Sequence, residues 1–136
     1  MSLLRRARLR LTPQRLAVVR EILTHNHATV GEVYEAVRPQ FPAIALTTVY
    51  AILSVLMEHG LIRGLPFEDA IRYDVNPTPH ANLVCTRCRR ITDLTTCSDA
   101  LALLSQHARV DARFQPEWER IEIFGLCPEC QSLPSA

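Results

Sequence analysis

The chain has no lysine: all fifteen of its basic residues are arginine. It has no apolar run of about 18 residues, the length a bilayer span requires, so a membrane-spanning helix is not expected. Its start, MSLLRRARLRLT, scatters arginines where a secretory signal needs an apolar core, so export is not expected and a cytoplasmic location is. Internal repeats and low-complexity segments are absent. So are a Ser-His-Asp set, a glycine-rich phosphate loop and a His-Glu-x-x-His zinc motif, and an enzyme is therefore not expected. The net charge is only +1, which by itself says nothing about nucleic acid. The distribution says more, because Arg5, Arg6, Arg8, Arg10, Arg15 and Arg20 fall in the first twenty residues with no acid among them. Arginine grips phosphate with two parallel donors, so this cluster fits contact with a nucleic-acid backbone. The plainer alternative is a solvated arm.

Cysteine is present, in a particular pattern. Cys85-x2-Cys88 and Cys127-x2-Cys130 are separated by 38 residues, and Cys97 is left over. A reducing compartment argues against disulfides, and two Cys-x-x-Cys loops are what a tetrahedral ion needs to collect four thiolates. Such a set leaves no open coordination position, so it predicts one structural Zn²⁺ per chain. A redox dithiol of the thioredoxin type would put a helix after the pair. Here RRITDL follows Cys88 and reads as a strand.

Helix and strand patterns divide the 136 residues. Thr12-Pro13 opens a helix with Leu16, Val19, Ile22 and Leu23 on its apolar stripe, and THNHA ends it. Thr29 and Glu32 have capping-box spacing ahead of Val30, Val33 and Val37, and Pro39 stops that helix near Arg38. After the connector FPAIAL, Thr47 or Thr48 is positioned to cap a third helix carrying Val49, Ile52, Leu53 and Leu56, with Gly60 at its end. LIRGL and AIRYDV then read as strands around a PFED turn. Three helices and a hairpin are the order of a winged helix. NPTP, residues 76–79, is a stiff linker. Beyond it ANLVC and RITDL read as strands, Ser98 caps a helix to about Ala108 with Leu101 and Leu104 inward, and WERIEIFGL alternates as a last strand.

The stretches LTPQRLAVVREIL, ATVGEVYEAV, TTVYAILSVLMEHGLI, RYDV, HANLVCTRC and RIEIFGLCPEC together resemble the ferric uptake regulator (Fur) superfamily of bacterial metal-dependent repressors. The resemblance implies an α+β chain with an N-terminal winged-helix DNA-binding domain over 1–75, a hinge at 76–79 and a small α/β dimerisation domain over 80–136. It implies a homodimer on double-stranded operator DNA, with no membrane partner and no small-molecule substrate. It also implies His27, Asp74, His80 and Asp93 as ligands of a regulatory ion. Asn82 stands where many relatives have a second His, and is a further candidate through its amide oxygen. A nitrogen and oxygen set enriched in oxygen favours Mn²⁺, with Fe²⁺ next. A second sensing site of some relatives has Pro79 and Ala81 at its positions here, so it is not expected, although Glu119 could serve in a degenerate version. The third helix would be the recognition helix, presenting Thr47, Thr48 and Tyr50, with Arg10 and Arg15 for phosphate and Ala51 where many relatives have Arg. The manganese-uptake and peroxide-sensing members are the nearest types; in the latter, peroxide oxidises a ligating His and the repressor lets go. The alternative of another class is a zinc-ribbon DNA-binding or interaction module without sensing.

Overall fold

A computed structural model describes residues 2–134. The chain folds as two compact units, the first ending at Pro77 and the second beginning at Thr78. Four helices precede two strands in the first unit, and in the second a helix separates the last strand from the first two, which is an α+β organisation.

The first unit is a three-helix core with a two-stranded wing. Its elements are α1 (Ser2–Arg6), α2 (Pro13–Thr24), α3 (Val30–Val37), α4 (Leu46–Glu58), β1 (Arg63–Pro66) and β2 (Ile71–Asp74). Thr12 caps α2, its Oγ1 accepting from Arg15 N at 3.2 Å, and Pro13 fills the first turn. The Thr29/Glu32 box is complete: Thr29 Oγ1 accepts from Glu32 N at 3.2 Å, and the Glu32 carboxylate accepts from Thr29 N at 2.8 Å. The expected threonine cap of α4 is replaced by Ala45, which makes no side-chain bond. The extended backbone turn already falls at Ala45, whose carbonyl takes Thr48 N and Val49 N, so both threonines lie inside the helix. Gly60 ends α4 at φ +67, with Leu61 N reaching back to Leu56 O at 3.0 Å.

Val18, Val19 and Ile22 of α2, Val33 and Val37 of α3, and Val49, Ile52, Leu53 and Leu56 of α4 close the core together with Tyr73. The buried edge of α2 is turned relative to the expected stripe: Val18 is fully buried, whereas Leu23 is 48% exposed. The arginine-rich start is not simply a solvated arm either. It forms α1, whose Leu4 is fully buried in the same core, beside Val19, Ile22, Leu56 and Ile62. A five-residue helix carries no readable periodicity, so a single anchoring leucine was invisible in the sequence.

The wing pairs β1 and β2 antiparallel, with Arg63 opposite Asp74 and Gly64 opposite Tyr73. Leu61 and Ile62, expected in the first strand, belong to the turn after Gly60. A third segment joins β2: His27 N donates to Tyr73 O at 2.9 Å, Tyr73 N to Ala28 O at 3.0 Å, and Thr29 bridges Arg72. The exit of α2 is thus tied to the end of the wing.

The second unit contains β3 (Ala81–Cys85), β4 (Ile91–Leu94), α5 (Ser98–Asp111), β5 (Glu122–Gly125) and the short α6 (Pro128–Gln131). Its sheet has the order β4-β3-β5, with β3 antiparallel to β4 and parallel to β5. The last strand is shorter than WERIEIFGL because β3 begins only at Ala81, so residues before Ile121 have no strand to pair with. Helix α5 starts after Cys97 rather than from a Ser98 cap, and runs past Ala108 to Asp111, which accepts from His107 Nδ1 at 2.7 Å. Leu101 is buried as expected, but Leu104 is 58% exposed. Leu103, Leu104 and Val110 of this 14-residue helix are exposed.

Candidate metal centres

The four paired cysteines come together in the second unit. Cys85 ends β3, Cys88 lies in the turn beyond it, Cys127 caps α6 and Cys130 lies within it. All four sulfurs lie within 4.8 Å of one another. Cys88 Sγ and Cys127 Sγ are 3.8 Å apart. A tetrahedron with metal–sulfur bonds of about 2.3 Å has edges of about 3.8 Å, so this spacing already matches zinc.

The local backbone makes the site. Cys85 N donates to Arg90 O and Arg89 N to Cys85 O, both at 2.9 Å, and Arg89 sits at φ +63, so the first knuckle turns back on itself. Cys127 N and Cys88 N both point at Cys85 Sγ, at 3.4 and 3.5 Å. These donors, Cys127 N–H first, hold the Cys85 thiol down to about 5, the direction a thiolate ligand needs. Burial pushes the Cys130 thiol up to about 12, a cost that a bound cation offsets. Two arginines brace the knuckles across the site: Arg87 Nη1 donates to Cys130 O at 2.9 Å, and Arg90 Nη1 meets Glu129 Oε1 at 3.1 Å. Cys97 lies apart from the cluster and donates to Leu94 O at 3.2 Å.

The remaining predicted ligands form one group in each unit. In the first, the tie between α2 and β2 brings a His27 ring nitrogen and an Asp74 carboxylate oxygen within 4.8 Å of each other. Both residues are buried. His27 adopts φ +68, an uncommon conformation for a non-glycine residue, held by its own N–H bond to Tyr73 O and by Arg72 Nη1 on its carbonyl at 3.4 Å. Asp74 Oδ1 accepts from Asn76 N at 2.9 Å. In the second unit, His80 Nε2 lies 3.5 Å from Asp93 Oδ1. His80 Nδ1 is 2.6 Å from the Thr78 carbonyl, which can only accept, so Nδ1 carries a proton and Nε2 faces the carboxylate. Asn82 is the cross-strand partner of Asp93 on the same face of the sheet. Its Oδ1 is buried and has no hydrogen-bond partner among the described residues. A buried amide oxygen without a donor is costly, and a cation satisfies it.

The candidate DNA residues lie in the first unit. Thr47 and Tyr50 are exposed on α4 and Thr48 is half-buried. Arg10 is exposed; Arg15 is half-buried, and its Nη1 donates to Arg10 O at 2.7 Å.

The model of the ferric uptake regulator family matches residues 6–121. The chain belongs to the ferric uptake regulator family. It is 36% identical over 131 residues to the peroxide-responsive repressor PerR of Staphylococcus epidermidis, covering 94% of this chain and 85% of that one. Among solved structures it is similar to the peroxide stress regulator of Campylobacter jejuni, at 28% identity and a TM-score of 0.76, covering 87% of this chain and 89% of the other. A zinc-bound manganese uptake regulator shares the fold at 24% identity and a TM-score of 0.69, covering 93% of this chain and 96% of that one. The first unit is therefore a winged-helix DNA-binding domain and the second the C-terminal dimerisation domain of such regulators.

Two residues of this Fur-family chain escaped the sequence reading. Thr78 contributes its carbonyl, which no side-chain pattern reveals. Asn26 lies beside His27 in THNHA, where it read as part of a helix exit, yet its carboxamide reaches Val75, Asp74 and His27.

Proposed function

We propose that this chain is a metal-responsive transcriptional regulator, mainly a repressor, that binds operator DNA as a homodimer. His27 and Asp74 from the winged-helix unit and His80, Asn82 and Asp93 from the second unit hold one regulatory Mn²⁺ or Fe²⁺. Cys85, Cys88, Cys127 and Cys130 hold Zn²⁺. The observation that carries the reading is that each unit gathers its own candidate donors into one buried or half-buried group, flanking the link between units. Asp74 and His80 are six residues apart, so covalent reach alone keeps them within about 20 Å. Donors from two bodies on one ion favour whichever mutual arrangement satisfies them all, which is the differential affinity a switch requires. In a dimer that arrangement sets the spacing of two recognition helices against major grooves about 34 Å apart. Two imidazoles, two carboxylates and an amide oxygen, without thiolate, suit Mn²⁺ and Fe²⁺.

The second unit supports the dimer. Strand β5 is an edge of the sheet and carries exposed Ile123 and Phe124, while α5 exposes Leu103, Leu104 and Val110. An open edge with apolar side chains is what self-pairing covers.

The test is a mobility shift with Mn²⁺, Fe²⁺, Zn²⁺ or chelator. Mn²⁺ or Fe²⁺ is expected to tighten operator binding by about tenfold or more. Equal affinity with metal and with chelator would leave a constitutive zinc-ribbon module. The peroxide-responsive relatives favour a second reading of the same site. Under it, peroxide releases the Fe²⁺-loaded protein from DNA and adds oxygen to His27 or His80, whereas the Mn²⁺-loaded protein stays bound.

Arg15 has competing duties, because its guanidinium also folds the Arg10 segment back. Salt dependence separates them. Arg15→Ala is expected to lower the slope of log affinity against log salt by about one unit, as loss of one phosphate contact does. An unchanged slope with weaker binding would assign Arg15 to structure alone.

A further inference from the structure

We propose that Asn26 is a positioning residue for the regulatory site, setting His27 and Asp74 in their ligating arrangement before an ion arrives. The inference rests on the regulatory reading above. Val75 N lies 3.0 Å from Asn26 Oδ1. A backbone N–H can only donate, so this contact fixes which end of the carboxamide is oxygen. The amide nitrogen is then at the other end, 3.4 Å from Asp74 Oδ1 and 3.3 Å from His27 Nε2. An amide NH₂ has two hydrogens, and here two acceptors face them. Donation to His27 Nε2 requires that nitrogen to carry no proton, which selects the Nδ1–H tautomer and keeps on Nε2 the lone pair a metal needs. The NH₂ group thus presents to the two donors a positive end, as a cation would.

The attachment points differ in strength in the useful direction. The contacts to His27 and Asp74 are at the long limit of hydrogen bonding and yield to a metal bond, while the shorter bond from Val75 keeps the carboxamide anchored. Partners of this kind, one bond removed from the metal, ordinarily orient ligand side chains and govern affinity.

The test uses the full-length protein with its zinc in place and Mn²⁺ titrated by electron paramagnetic resonance. Asn26→Ala is expected to weaken Mn²⁺ binding about tenfold, with zinc content unchanged. Nitrogen-15 spectra of the metal-free protein are expected to show His27 as the Nδ1–H tautomer in the native chain and as a mixture in Asn26→Ala, a change that general loosening of the fold does not produce. If the variant does not fold, the native spectrum still decides: an Nε2–H tautomer for His27 overturns the proposal. So does Mn²⁺ affinity in Asn26→Ala within twofold of native, provided His27→Ala abolishes binding. Should His27→Ala itself bind Mn²⁺ normally, the regulatory reading falls and the role of Asn26 with it.

Discussion

Cys127→Ser is expected to yield a chain that retains no zinc, does not dimerise and keeps an ordered fold only in its first unit. The apolar interior of the second unit explains the size of the effect. Ala81 and Leu101 are its buried aliphatic residues among those described, and the other buried apolar positions are the ligands Cys85 and Cys130 themselves. A structural zinc in a small domain contributes about 10–16 kcal/mol of apparent binding energy near neutral pH, as much as the whole stability of an ordinary domain. Serine keeps the size of the side chain and removes the thiolate, so the remaining three sulfurs no longer close the tetrahedron. Without it only the Arg87 and Arg90 contacts and the short ladder of β5 tie α6 to the end of β3. The first unit has its own core of helix residues around Val18, Val33 and Leu53 and does not depend on the ion. Elemental analysis, gel filtration and far-ultraviolet dichroism read the three consequences separately. A zinc-free Cys127→Ser protein that remained a folded dimer would refute the structural role.

What the sequence revealed and what it hid follow the range of the interactions involved. The Thr29/Glu32 box, the proline start of α2 and the Gly60 exit are local devices, complete within four or five residues, and each is found where the sequence places it. The Cys-x2-Cys pairs were legible for the same reason, since each knuckle is a local turn and four thiolates have few other uses. The misread features depend on tertiary partners. Ala45 rather than a threonine begins α4 because the preceding connector sets the backbone there. Leu104 is exposed although its spacing from Leu101 put both on an inward stripe, and which side of a helix is buried is decided by what packs on it. Leu4 is buried by contacts with residues far along the chain. The candidate regulatory donors also depend on tertiary partners. No spacing rule joins His27 to Asp74; their proximity depends on His27 N–H pairing with Tyr73 O, a link made only in the folded wing. Resemblance to a family supplied those residues where periodicity was silent, and it could not supply Asn26, which acts through its neighbours.

Replacing a donor in either unit is expected to erase the metal response of DNA binding altogether. His27→Ala removes an imidazole from the winged-helix unit and His80→Ala one from the second, yet on the proposed reading both would sever the same link. Metal-linked changes in affinity between coupled sites typically amount to about 5–150-fold. Each single variant should therefore bind operator in Mn²⁺ no better than the native protein in chelator. The informative measurement is the double variant. Independent contributions would multiply, whereas two halves of one bridge can be broken only once, so His27→Ala/His80→Ala should be no weaker on DNA than either single change. Zinc content and gel-filtration volume should stay native in all three, because the cysteine cluster and β5 are untouched. Retention of the Mn²⁺ response by either single variant, or a double variant that loses affinity as the product of the two, would show that His27 and His80 do not serve one ion.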